Sequence, residues 1–185
     1  MNIISNTCIG SYIMRDCLKQ PYENPFCWNI IDAESMYNLI KNYDKINFKN
    51  YELKKDDKWN FWIEIDNQVK VKFVHYHFSS RDIKIRKNNV DLFYNRIWEY
   101  IIDCYEKRLS RMKGKPIFVI ATSFPHDFYS DEEIKKICSI ETPYKIVICN
   151  NHIKLNTPHI FLDTKLFENN EQLAKDIWEE IHEKV

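Results

Sequence analysis

Two nearly uninterrupted apolar runs, residues 116–122 (PIFVIAT) and 144–149 (YKIVIC), restrict this chain more than any other feature. Neither alternates apolar with polar, so each is expected to be a strand buried on both faces, as strands are when helices cover a parallel sheet. Between them Ser130 and Glu133 stand at capping-box spacing and open a helix to about Ser139. Strand, helix, strand is a βαβ unit, which makes the two strands parallel with a right-handed crossover.

The rest of the chain fits around that unit. Trp59, Phe61, Ile63 and Ile65 alternate with polar residues, the chain turns at Asp66-Asn67-Gln68, and Val69, Val71, Phe73, His75 and His77 alternate on the return, the pattern of an antiparallel hairpin. A charged turn in solvent is expected at residues 54–58. Asp32 caps a helix running to about Tyr43. Asn89 or Asp91 opens the longest helix, whose stripe of Phe93, Tyr94, Ile97, Trp98, Ile101, Cys104, Tyr105, Leu109 and Met112 ends at Gly114. Residues 159–163 offer a strand at the sheet edge, and residues 169–185 a closing amphipathic helix with Leu173, Ile177, Trp178 and Ile181 inward. The expectation is one α/β domain over residues 1–185, a three-layer α/β/α fold with a mixed sheet that holds a parallel βαβ unit and one antiparallel hairpin. A chain of this length buries roughly 70% of its unfolded surface.

Composition excludes several functions. Gly10 and Gly114 are the only glycines, so neither a Walker-type phosphate loop nor a GxGxxG dinucleotide turn is present. Lys plus Arg equals Asp plus Glu at 27 each, and no long basic run occurs, which argues against a nucleic-acid partner. No stretch reaches the roughly 18 apolar residues of a membrane span, and the first residues lack the basic flank and apolar core of a secretory signal. Six cysteines at 8, 17, 27, 104, 138 and 149 form no CxxC pair. That spacing suits neither a zinc ribbon nor a dense disulfide framework, and a reducing cytoplasm is the expected location.

Chemistry concentrates at the start of the chain. Residues 2–5 read as a short strand, Asn6 or Thr7 as a cap, and Ile9, Tyr12, Ile13 and Cys17 recur at helical spacing over residues 9–19. Cys8 then falls in the first helical turn, where unpaired N–H groups and the helix dipole favour a thiolate below the free thiol's pKa of about 8.5. The competing reading is a buried structural cysteine. Pro21 and Pro25, among aromatics, make residues 20–28 a rigid connection that packs over this turn and walls a pocket.

Ile3-Ile4-Ser5-Asn6-Thr7-Cys8, Tyr12, Arg15, Pro21-Tyr22 and Pro25-Phe26 resemble the opening of an uncharacterised bacterial family labelled exopolysaccharide biosynthesis protein, found in capsule and surface-polysaccharide gene clusters. The resemblance runs more weakly to about residue 150. A looser similarity, through Cys8, Pro25-Phe26, Trp28 and a later histidine, runs to a family named papain-like cysteine peptidase. Where the first family places Gly-Gly soon after the cysteine, this chain has Ile9-Gly10-Ser11. The resemblance implies a role in making capsule or exopolysaccharide, with a sugar or glycan as the small-molecule partner. His75, in Phe73-Val74-His75-Tyr76, aligns with a histidine of both families.

Three readings of the chemistry follow. In the first, Cys8 is the nucleophile and His75 its base, with Asp82, Asp127 or Asn150 orienting the imidazole, in acyl transfer or hydrolysis on a sugar or its substituent. The second takes His75 and His77, two imidazoles directed the same way on one strand, as metal ligands completed by His126, Asp127 or His152. The Asp and His that binuclear zinc hydrolases place just downstream are replaced by Ser79 and Ser80, so the expected site holds no metal and no cofactor. The third is a sugar or nucleotide-sugar transferase without covalent catalysis. Its cleft would lie beyond the carboxyl ends of the parallel strands, lined by Asn6, Ser123, His126, Asp127 and Asn150, with Arg15 nearby. An enzyme is expected on balance; the sugar, the acceptor and the oligomeric state stay open.

Overall fold

The computed structural model describes residues 2–20, 24–27, 29–57, 60–73, 86, 88–121, 129–149, 160–162 and 170–183. Its centre is the strand β6 (Pro116–Ala121), buried at all six positions as its unbroken apolar run requires. On one side β6 pairs in parallel with β1 (Asn2–Ser5), and on the other with β7 (Lys145–Cys149), which pairs in parallel with β8 (Ile160–Leu162) at the edge. The order β1-β6-β7-β8 makes this sheet wholly parallel. Between β6 and β7 lies α4 (Asp131–Cys138), opened by the full capping box, with Ser130 Oγ accepting from the Glu133 N–H and the Glu133 carboxylate accepting from the Ser130 N–H.

Helices cover both faces. Ile3, Ile117, Val119, Ala121, Val147 and Cys149 face α1 (Ile9–Tyr12), the π-helical turn that continues it (Ile13–Cys17), and α5 (Asn170–Glu183), meeting Ile9, Ile13, Met14, Leu173, Ile177 and Ile181. The even-numbered Ile4, Phe118, Ile120, Ile146 and Ile148 point the other way. They join a larger core with α2 (Ala33–Asn42), α3 (Val90–Arg111) and α4.

That core reaches a second sheet, antiparallel, in the order β2-β5-β4-β3. Its strands are β2 (Asn29–Ile31), β3 (Tyr51–Lys55), β4 (Phe61–Ile65) and β5 (Val69–Phe73). Leu53, Phe61, Ile63, Ile65, Val69, Val71 and Phe73 face inward, and Lys54, Trp62, Glu64, Lys70 and Lys72 outward. At the β4–β5 turn Asp66 and Asn67 take the left-handed backbone (φ 52° and 55°) that this tight connection needs. The α/β class, the parallel unit and the hairpin all stand; the strands divide between two sheets, and the hairpin belongs to the second. Residues 54–58 were expected as a turn, but Lys54 and Lys55 continue β3, an edge strand with a single buried residue, Leu53. Among the described residues no helix is long and apolar enough to cross a membrane.

The two sheets meet at the start of the chain. The Asn6 carbonyl accepts from the Ile31 N–H (3.1 Å), and Asn24 Nδ2 donates to Asn2 Oδ1 (2.7 Å) and to the Ile3 carbonyl (2.9 Å). Where β2 is too short to reach, Ser35 Oγ of α2 accepts from the Lys70 N–H (2.8 Å).

Candidate functional site

At the carboxyl end of β1 the chain makes the turn that carries Cys8. Asn6 fixes it. Its side chain is fully buried, Oδ1 accepting from the Ala121 N–H (2.9 Å) and Nδ2 donating to the Ala121 carbonyl (3.0 Å), so one amide extends the β1–β6 ladder beyond Ser5. Thr7 Oγ1 then accepts from the Ile9 N–H (3.3 Å), and the Cys8 carbonyl accepts from the N–H groups of Ser11 and Tyr12. Gly10 lets this turn lie directly on β1: a Cβ there would stand 2.7 Å from Ser5 Cβ and 3.3 Å from Ile3 Cγ2. The single glycine of Ile9-Gly10-Ser11 therefore serves close packing of helix on strand.

Cys8 occupies the N-cap of α1 and is half-buried. Its thiol is pushed up to about 11, by burial first and then by Cys27, whose charge would oppose a second one beside it. This corrects the expectation of a thiolate favoured by the helix end. The reason is geometric: α1 has four residues before the ladder widens into the π-helical turn, so few aligned peptide dipoles act on Cys8. Cys27, 3% exposed, was legible in the sequence only as one cysteine of six; its carbonyl accepts from Arg108 Nη1 of α3 (2.7 Å).

Arg15 lies in the π-helical turn and forks onto its neighbour, Nε to Asp16 Oδ1 at 2.5 Å and Nη2 to Oδ2 at 2.7 Å, with its guanidinium 5.0 Å from the centre of the Tyr12 ring. The same hydrogen bonds hold the Asp16 carboxyl below its ordinary value. Arg15 stands beside the Cys8 helix with its charge already matched.

His75, Ser123, His126, Asp127 and Asn150 lie outside the described residues, as do His77, Asp82 and His152. The topology still says which ends of the sheets converge. Phe73, the last described residue of β5, pairs with Asn29, two residues beyond Cys27, and Ile31 of the same strand bonds to Asn6. β5 thus runs toward the segment that carries Cys27, whose charge acts on Cys8. Ala121 and Cys149, which end β6 and β7, stand at the same end of the parallel sheet as Ser5. Among the described residues no group of three or more His, Cys, Asp or Glu is arranged to hold a metal ion.

A family model described as "Domain of unknown function (DUF1919)" matches residues 1–183. No curated protein matches the chain.

Proposed function

We propose, for a chain that belongs to the family described as domain of unknown function DUF1919, that it is a thiol enzyme of surface-polysaccharide biosynthesis, an acyl transferase or hydrolase acting on a sugar or its substituent. Cys8 is the nucleophile and His75 the base. One observation supports the reading: β5 ends with Phe73 paired to Asn29, two residues past Cys27, the cysteine whose charge acts on Cys8.

The raised thiol defines what the base must do. A sulfur held protonated to about 11 is inert near neutral pH, so activation requires transfer of its proton to an imidazole at the moment of attack. The Cys8 Sγ–H proton passes to His75, Sγ bonds to the acyl carbon, and the imidazolium returns the proton to the departing oxygen as its bond to that carbon breaks. A sugar hydroxyl or water then takes the acyl group, giving its own proton to His75, and the thiol re-forms. Asn6 and Gly10 act as positioning residues that seat the turn. The polysaccharide assignment rests on the sequence resemblance in the first 28 residues.

The test uses p-nitrophenyl acetate and the intact chain. Wild type is expected to carry an acetyl group on the Cys8 peptide by mass spectrometry after reaction near neutral pH, and Cys8→Ala none. His75→Ala is expected to slow acetylation by about a hundredfold or more near neutral pH and to recover only as the pH climbs toward about 11. Acetylation elsewhere in place of Cys8, or a rate indifferent to His75, would overturn the reading. The raised thiol also favours the alternative, a sugar or nucleotide-sugar transferase without covalent catalysis, which predicts that Cys8→Ala keeps full transfer activity.

A further inference from the structure

On the outer face of the antiparallel sheet lies a hollow of about 210 Å³ lined by Ile30, Asp32, Asp56, Asn60, Trp62, Lys70 and Lys72. The register explains its composition. Lys54, Trp62, Lys72 and Ile30 form one rung across all four strands, each directly opposite the next. An indole and an isoleucine therefore flank a lysine on a face that is otherwise charged.

The polar groups in and beside the hollow are unequally engaged. Lys54 is held by Glu64 and Glu52, so Glu64, the cross-strand partner of Lys70, is already engaged. Asp32 Oδ1 accepts from the Ser35 N–H at the start of α2. Asp56 accepts from the Asn60 N–H (2.9 Å) and from Asn60 Nδ2 (2.7 Å). The carboxylates thus have donors, whereas among the described residues Lys70 and Lys72 have no carboxylate partner. Both lysines are exposed. A further oddity marks the spot: Trp62 Nε1 is shut from water and has no hydrogen-bond partner among the described residues. An unpartnered buried N–H of this kind costs free energy.

We infer that this hollow binds an anionic sugar, a pyranose ring carrying a phosphate or carboxylate, with the ring laid on Trp62 and the anion held by Lys70 and Lys72. The two ammonium groups have no carboxylate partner among the described residues and can each take up an anionic oxygen, while Asp32 and Asp56 in the same lining are already engaged by N–H donors. The indole and Ile30 suit the apolar face of a ring, and the Asp56–Asn60 pair suits its hydroxyls. The volume falls below the roughly 300–1,000 Å³ of pockets that enclose drug-sized ligands, and so fits one ring, free or at the end of a longer chain. None of the seven residues belongs to the Cys8 turn, so the site stands independently of the thiol reading.

Binding to the intact chain is measured by titration calorimetry with a hexose phosphate, glucuronate, glucose and inorganic phosphate, in wild type and in Cys8→Ala. At least one of the two anionic sugars is expected to bind, with glucose and inorganic phosphate each about tenfold weaker or worse. Affinity is expected to fall as salt rises. Which of the two binds tells phosphate from carboxylate recognition. The Lys70→Gln/Lys72→Gln variant, altered only at exposed positions, is expected to lose about tenfold or more, and Trp62→Phe to bind less tightly while keeping the fold by circular dichroism. Cys8→Ala is expected to bind as wild type does, which separates a failure here from a failure of the nucleophile. The inference is overturned if neither anionic sugar binds, if glucose or inorganic phosphate binds as well as they do, or if the lysine variant is unchanged.

Discussion

Asn6 decides at the level of one side chain whether the Cys8 turn exists. Its amide replaces a peptide group, giving the buried Ala121 N–H an acceptor and the Ala121 carbonyl a donor. Asn6→Ala leaves both unsatisfied, and a loss of about 2–4 kcal/mol is expected in urea denaturation. Asn6→Asp separates the two bonds. A carboxylate still accepts from the N–H, but faces the Ala121 carbonyl with no proton to share and is buried besides, so its pKa rises. The protonated form can donate, so Asn6→Asp should gain stability relative to wild type as the pH falls below its raised pKa. A residue that contacted only substrate would show no such gain.

Helices of this chain have local signals and its short strands do not. Asp32 and Ser130 cap their helices as the sequence predicts, and of the two candidates Asn89 and Asp91 it is Asn89 that caps α3, each cap accepting from the N–H three residues on, within one turn. Ser130→Ala is accordingly expected to cost about 1 kcal/mol in urea denaturation, while Ser130→Asp, also a good cap, stays close to wild type. β2 and β3 were not legible. β2 is three residues long and its partner β5 begins about 40 residues later, so nothing nearby marks it. β3 buries only Leu53, and its Lys54 pairs with both Glu52 and Glu64 along an edge that charge protects, which in sequence resembles a solvated turn. For the site, a helix start at Cys8 was legible because such signals are local, although the cap expected at Asn6 or Thr7 falls on Cys8 itself. The influence of Cys27 on it, the pairing of β5 with β2 and the commitment of Asn6 to β6 were not, since each joins segments far apart in the chain. The thiol's direction of shift failed for the same reason: burial is set by the packing of distant elements, and it outweighs a helix end only one turn long.

Across the whole molecule the core holds thiols and phenols that resist ionisation, and this gives the fold an alkaline limit. Burial pushes Cys8 and Cys138 up to about 11 and Cys149 higher still. Burial, with a carboxylate accepting each hydroxyl, lifts Tyr51 and Tyr144 to about 12. Tyr105 and Tyr129 are raised by burial and donate to the carbonyls of Phe48 (2.8 Å) and Ile31 (2.7 Å), the second of these tying the strand β2 to the start of α4. In the unfolded chain these groups lose their protons near their ordinary values of 9.0 for thiols and 10.0 for phenols. Between those values and the raised ones the folded state holds more protons, so stability falls as pH rises. Below about 9 both states are protonated and these groups impose no pH dependence. Above it, each group that ionises only on unfolding removes about 1.4 kcal/mol per pH unit. Urea denaturation under reducing conditions should therefore show stability declining ever more steeply from pH 9 to 11. Tyr129→Phe gives up one hydrogen bond and is less stable near neutral pH, but it also removes one late-ionising proton. Its decline above pH 10 is expected to be shallower than that of wild type by about 1.4 kcal/mol per pH unit. Parallel declines in the two proteins would mean that the Tyr129 phenol ionises as easily in the fold as in the unfolded chain, against its burial among α4, β2 and the larger core.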